Sequence, residues 1–377
     1  MIFIQNGYIK TMAGADIENG CILLGDDGKI AAIGAGLTAP AGAEIIDAEG
    51  RLVTPGCVEA HCHIGCAEEI IGDKGSDHNE SSDPVTPQLR AIDAIRPEDG
   101  RLADARRGGV TTLCTGPGSA NVVCGTFAAI KPAGNCVDDM VVKFPVGMKC
   151  AFGENPKTIH GGRKKAPITR MATAALLREL LFKAREYMEA KDAGKEPKFD
   201  MKLEAMLPVM RGEIPLKAHA HRTDDILTAI RIAQEFGVKL TMDHCTEGHM
   251  IAEKLATYDY PALVGPSFGS KSKPELSNKT FETPPSCIRQ ACPSASSPML
   301  MSCPLRICPC APASLWMPVC PWKRAGVSSP SIPHGSSVLQ TVWAAWKWAR
   351  TPMWSSGPRI LWSISAVQPI PPSLTAR

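Results

Sequence analysis

Histidine is the residue type whose placement in this chain could do chemistry. Six of the nine histidines fall in three short apolar segments or just past them. His61 and His63 lie in CVEAHCHIG, His219 and His221 close IPLKAHAH, and His244 ends VKLTMDH with His249 five residues on. On an extended strand residues i and i+2 share a face, so each H-x-H sets two imidazoles side by side. Two such rings can hold one metal ion. A single H-x-H is a weak signal, because a histidine at a strand end often serves only as a hydrogen-bonded polar group. Three occurrences at expected strand ends favour a metal. Imidazole with carboxylate ligands suits zinc first, and also iron, manganese or nickel. His78, His160 and His334 have no such placement and read as surface or loop residues.

The elements that must position these rings follow from the apolar pattern. Residues 1–54 alternate apolar and polar positions, with Asn6-Gly7, Asp26-Asp27-Gly28 and Glu49-Gly50 as turns, and predict part of a small β-sandwich. Beyond Pro55 short apolar runs alternate with helical patterns. Seven segments read as strands: CVEAHCHIG, GVTTLCTG, TFAAIKPAG, FPVGMKCAFG, IPLKAHAH, VKLTMDHCT and PALVGPSFG. Helices are expected in PQLRAIDAI, in a long amphipathic run between Pro167 and Gly194, in TDDILTAIRIAQEFG and in GHMIAEKLA. Thr223-Asp224-Asp225 reads as a helix N-cap and Gly237 as a stop. Strands alternating with helices imply a parallel sheet, one strand short of an eight-stranded barrel. In such a barrel the C-terminal ends of all strands face one mouth, where histidines from separate strands can converge.

The composition breaks near Pro284–Pro285. Residues 1–282 carry 33 basic and 38 acidic side chains, whereas Thr283–Arg377 holds no acidic residue, all seven tryptophans and 16 of 32 prolines. An ordinary domain carries both signs, so the chain reads as two unlike materials. The opening MIFIQNGYIK lacks the features of a signal peptide, and no run of about 18 apolar residues suggests a membrane span. Scattered single cysteines fit a reducing, cytoplasmic setting, and Cys57, Cys62 and Cys66 lack the paired spacing of a zinc knuckle.

These residues resemble the amidohydrolase superfamily, in its imidazolonepropionase-like branch. The matching pieces are VTPGCVEAHCHIG, NESSDPVTPQLRAIDAI, GGVTTLCTGPGSANV, KAHAHRTDDILTAIRIAQEFG, MDHCTEGH and SKPELSNKTFETP, within residues 1–284. The resemblance implies an α/β fold, a metal-dependent TIM (β/α)8-type barrel with a partial small β-sandwich from the N-terminus. The barrel is expected to be incomplete, its eighth strand lost. The implied domains are 1–54, the sandwich part; 55–284, barrel strands 1–7; and 285–377, a non-native, poorly ordered tail. By position His61 and His63 resemble the first-strand metal ligands, His219 the fifth-strand ligand and His244 the sixth-strand ligand. Lys149 stands where some members place a carboxylated bridging lysine; the alternative is a lysine snorkelling at a strand end. His221 is expected to line the substrate pocket or be structural. The family's catalytic aspartate ending the eighth strand has no counterpart, since the last Asp is Asp259.

Codon arithmetic bears on that loss. Methionine and tryptophan each have one codon, so reading the third base of each codon with the first two of the next forces letters across Trp343–Trp354. The shifted frame must contain Gly, three positions later Glu, two later Gly and five later Val. With permitted codons elsewhere, residues 341–361 can read RVGSLEVGKDADVVVWTADP, which resembles the superfamily's C-terminal sandwich strand. Residues 293–304 can likewise read VSIITDAHVVP, an apolar strand ending in Asp. The tail is thus expected to be a frameshifted gene end, the slip lying near Pro284–Cys287.

The expected function is hydrolysis of a non-peptide or dipeptide-like C–N bond by metal-activated water, with one or two ions, impaired here by the missing aspartate. The expected partner is a small-molecule substrate, with a homo-oligomer allowed and neither nucleic acid nor membrane. Two alternatives are a non-catalytic barrel scaffold and nucleic-acid binding through the Trp-rich tail. Eight cations in the 95 residues from Thr283, with no sustained pattern, argue against the second.

Overall fold

The computed structural model describes residues 1–69, 74–267, 270–289, 294–296 and 362–364. The expected poorly ordered tail over 285–377 lies outside the described residues, apart from the short pieces just named, as does His334.

The chain divides into two compact units. In the first, strands β1 (Ile2–Ile9), β2 (Ile17–Leu24), β3 (Ile30–Ala35), β4 (Glu44–Asp47) and β5 (Leu52–Pro55) form one sheet. β1 runs antiparallel to β2 and parallel to β4 and β5. Ile4, Ile9, Ile22, Ala48 and Val53 form its core. They come from β1, β2 and β5, with Ala48 just past β4. Residues Trp362–Ile364 add a further strand antiparallel to β5.

The second unit carries the barrel sheet. Its seven strands are β6 (Cys57–Cys62), β7 (Val110–Thr115), β8 (Val123–Ile130), β9 (Val141–Ala151), β10 (Leu216–Ala220), β11 (Leu240–His244) and β12 (Ala262–Val264). They pair in chain order, and each overlaps one of the seven expected segments, β8 and β9 starting three residues earlier than expected. A three-residue strand, β13 (Ser294–Ser296), lies parallel beside β12. A remnant thus stands where an eighth strand was expected to be lost, and it carries no aspartate.

The sheet is not parallel throughout. β8 runs antiparallel to both β7 and β9. Only residues 116–122 join β7 to β8, and a parallel crossover needs a dozen or more.

The helices are α1 (Gly100–Arg107), α2 (Val137–Met140), α3 (Glu154–Gly161), α4 (Arg170–Asp192), α5 (Met201–Met210), α6 (Thr223–Phe236), α7 (Ala252–Leu255) and α8 (Thr283–Arg289). The long helix starts as expected: Thr169 accepts a hydrogen bond from the backbone N–H of Ala172. Helix α5, which contains Pro208, was not anticipated. The helix expected in PQLRAIDAI is a single 3-10 turn, Ala91–Asp93. That segment lies between Pro87 and Pro97, and its backbone pairs with β8 instead, Leu89 O accepting from Thr126 N at 2.9 Å. Gly125 permits the approach, since a Cβ there would meet Leu89 O at 2.5 Å. Helix α6 ends at Gly237 in the left-handed region, as expected, but its N-cap is Arg222. The Glu247 carboxylate accepts from Thr223 N, and Asp225 pairs with Arg170 rather than capping.

The main core lies between the sheet and α4, α5 and α6. Leu177, Leu181, Met206, Ile226 and Ile230 pack there against Met148, Leu216 and Leu240. Among the described residues no helix is long and apolar enough to cross a membrane.

Candidate metal centre

The strand ends bring the histidines together. His61 lies in β6 and His63 just past it; His219 lies in β10 and His221 just past it; His244 ends β11. All five are buried. Ring centroids lie 5.2 Å apart for His61 and His63, 5.2 Å for His61 and His244, and 4.6 Å for His219 and His244. His221 joins the same group, 4.6 Å from His219 and 4.8 Å from His244. Donor atoms of His219, His221 and His244 lie within 4.8 Å of one another. His244 has φ +75° and Cys245 φ +45°. Two non-glycine residues in the left-handed region are costly, and such strain gathers at functional sites.

Two of the rings are oriented by a backbone carbonyl. His63 Nδ1 lies 2.7 Å from the Gly116 carbonyl oxygen and His244 Nδ1 lies 2.8 Å from that of Gly265. A carbonyl only accepts, so both Nδ1 atoms carry the proton and both Nε2 atoms keep a lone pair. This is the tautomer a metal-binding imidazole needs. Burial, followed by the nearby Lys149 ammonium, pushes His63 down to about 3 and His244 down to about 4. Burial also holds His61, His219 and His221 well below the ordinary imidazole range. The rings are therefore neutral at pH 7, the form that ligates a cation. By tautomer, charge state and donor type, this group fits a divalent ion.

Lys149 of β9 is fully buried beside this group. Its Nζ lies 3.1 Å from Asp243 Oδ2 and 3.4 Å from His61 Nε2. Lys217, its cross-strand neighbour in β10, reaches Asp243 Oδ1 at 3.1 Å. His61 Nδ1 lies 3.0 Å from Asp243 Oδ2. Burial raises the Asp243 carboxyl, but the Lys217 and Lys149 charges and the hydrogen bond from His61 outweigh it and hold the group well below the carboxylate range. Burial lowers Lys149, against the opposing pull of Asp243.

A cavity of about 350 Å³ opens on the rings of His63, His219, His221 and His244. Its other wall includes Ser119, Asn155 and Lys273. Lys273 Nζ donates to Asn155 Oδ1 at 2.9 Å and forms an ion pair with Glu275. The Glu275 side chain is fully buried and Oε1 lies 3.6 Å from His221 Nε2.

Several of these groups escaped the sequence reading. Asp243 and Lys217 sit within apolar strands, and the signal for Lys217 was available, because K-x-H-x-H places Lys217, His219 and His221 on one strand face. Asn155, Lys273 and Glu275 sit outside the strands and carry no periodic signal. His78, read as surface or loop, is partly buried, lines the cavity and stands 5.6 Å from His63. His160 is corrected too. It lies in α3, is fully buried and meets Asn121 Oδ1 at 2.9 Å. His249 hydrogen-bonds Thr283 instead of lining the cavity.

No family model matches the chain. The crystal structure of an amidohydrolase from Thermotoga maritima is similar, with a TM-score of 0.80 and 38% identity, over 87% of this chain and 84% of that one. A curated amidohydrolase, tasK of Hapsidospora irregularis, is 31% identical over 245 residues, 57% of this chain. A dihydroorotase of Pelobacter propionicus is 47% identical over 64 residues, 17% of this chain. The chain spans 25% of the length of the first curated relative and 15% of the second.

Proposed function

This chain belongs to the amidohydrolase superfamily, and on that premise we propose that it is built as a metal-dependent hydrolase of a C–N bond in a small non-peptide or dipeptide-like amide, in the imidazolonepropionase-like branch. The observation that carries this reading is the single connected group of neutral imidazoles drawn from the tips of β6, β10 and β11. His61, His63, His219 and His244 would hold one or two divalent ions, zinc first by donor type, with Lys149 as a carboxylated bridge. When bound, such an ion polarises a carbonyl oxygen and brings the pKa of water down to about 7.

The chain's own groups do the rest. The carbonyls of Gly116 and Gly265 fix the proton on the Nδ1 atoms of His63 and His244 and keep Nε2 turned to the centre. Asp243 anchors the Lys149 amine beside His61. Ser119, Asn155 and Lys273 offer donors from the cavity wall to the polar end of a small substrate.

The step that fails is proton delivery to the leaving nitrogen. A positioned acid contributes about 10²–10⁴ in rate, and the eighth-strand aspartate that would do this is absent, Asp259 being the last in the chain. In this reading residues 1–54 and 55–284 are the native domains. Residues 285–377 are a frameshifted tail and hydrolysis is impaired. The natural partner is a small molecule, in the cytoplasm, with neither nucleic acid nor membrane and with a homo-oligomer allowed.

The test begins with the nucleotide sequence over the codons of Pro284–Cys287 and continues with a frame-restored chain. With zinc, the restored chain is expected to hydrolyse a cyclic or dipeptide-like amide and to lose that activity on chelation. The chain as it stands is expected to be slower by at least about 10²-fold. Equal rates from both would overturn the impairment, and no hydrolysis by either would overturn the reading. A non-catalytic scaffold is favoured by the missing aspartate alone, and it predicts a chain that binds no metal.

A further inference from the structure

The ligand set just proposed leaves His221 and Glu275 without a task. We infer that these two residues complete, with His219 and His244, a four-donor shell for one divalent cation, which needs no eighth-strand carboxylate. The inference rests on the reading of this site as a metal centre, and it assigns one ion a shell different from the one proposed above.

Three observations carry it. First, the donor atoms of His219, His221 and His244 already lie within 4.8 Å of one another. Second, Glu275 brings a carboxylate to the same spot, with Oε1 3.8 Å from His219 Nε2 and 3.6 Å from His221 Nε2. Zinc bonds of about 2.0–2.1 Å in a tetrahedral shell set neighbouring donors roughly 3.3 Å apart. The carboxylate contacts need contract by only a few tenths of an ångström to meet that spacing. Third, Oε1 is buried and, among the described residues, its direct partner is the Lys273 ammonium, in an ion pair.

The surroundings support the same assignment. Glu275 Oε2 accepts from the backbone N–H of Glu154 at 2.8 Å, which fixes the carboxylate and leaves Oε1 turned to the imidazoles. His221 Nδ1 contacts Thr246 Oγ1 at 2.7 Å and His244 Nδ1 contacts the Gly265 carbonyl, so both rings are held from behind. Asn155 Nδ2 touches His219 Nε2 at 3.3 Å, a long contact that a cation would replace. The Lys273 ammonium holds a positive charge at Oε1 in the cation's absence. Its side chain is 26% exposed, so it has room to withdraw.

The test uses the full chain, stripped by chelator and titrated with Zn²⁺ by calorimetry and with Co²⁺ by visible absorption. Thermal unfolding of each stripped variant checks that it folds. Glu275→Gln and His221→Gln are each expected to weaken binding of one ion by more than about 100-fold, beyond the 10–100-fold that loss of an outer-shell partner costs. Both are expected to shift the Co²⁺ bands. Glu275→Asp, which keeps a carboxylate, is expected to restore much of the loss, and Lys273→Met to tighten binding by removing the competing charge. Unchanged binding in Glu275→Gln and His221→Gln, with loss in His61→Asn and His63→Asn, would overturn this inference and leave the proposed function standing. No bound zinc in any form would overturn both.

Discussion

Lys149 and Lys217 stand directly opposite each other on β9 and β10, and both ammonium groups close on the one carboxylate of Asp243. Two cations around one anion leave a surplus positive charge in a buried site, beside His61. Removing one partner of a buried pair strands the other at a cost of about 3–5 kcal/mol. Asp243→Asn is therefore expected to destabilise the stripped chain by about that much, read as a lower urea midpoint at unchanged slope. A loss below about 1 kcal/mol would show that the lysines are not held by this carboxylate.

The same charge surplus bears on Lys149. Carboxylation turns an ammonium into an anion and reverses the balance around Asp243. Bicarbonate is expected to raise the zinc content of the native chain, and to leave Lys149→Ala unchanged. Metal analysis at several bicarbonate concentrations decides it, and identical responses would assign Lys149 a purely structural role.

Acid should unfold the stripped chain early. His63 and His244 are depressed to about 3 and about 4 from an ordinary 6.5, so between those values the unfolded chain binds more protons than the folded one. Stability then rises with pH, is fully present above about 6.5 and is lost as pH falls toward 4. From pH 7.5 to pH 5 each ring should contribute a loss on the order of 2 kcal/mol. Urea unfolding at the two pH values measures it. His63→Asn should flatten the dependence, and an equally steep profile in that variant would count against burial of the neutral ring.

Gly153 is expected to resist substitution. Its φ is +79°, and an added Cβ would press on Glu275 Oε2 and stand 3.1 Å from Asp225 Oδ2. Gly153→Ala should cost about 1–3 kcal/mol from the backbone alone. If the assignment of Glu275 is correct, it should weaken zinc binding as well. A thermal melt alongside a zinc titration separates the two effects.

What could be read from the chain, and what could not, divides on physical lines. The seven barrel strands stood out because each is a short apolar run between helix signals or breakers. The histidines stood out because imidazoles at strand ends are uncommon and their two-residue spacing matches the pleat. Asp243 did not, because nothing local distinguishes a charged group inside an apolar strand from one at its edge; its meaning comes from lysines 94 and 26 residues away. Glu275 and Asn155 meet across 120 positions of chain through Lys273, with no period to reveal it. The reversal of β8 was open to inference, since the seven residues 116–122 are too few for a crossover.

Glu154 and Glu275 exchange hydrogen bonds, each from a backbone N–H to the other's carboxylate. Glu154 N donates to Glu275 Oε2 at 2.8 Å, and Glu275 N donates to Glu154 Oε1 at 3.1 Å. The segment bearing Lys273 is thereby buttoned to the start of α3 by two fasteners that must open together. The cavity wall that carries Lys273 is thus tied, through Glu275, to the helix that carries Asn155.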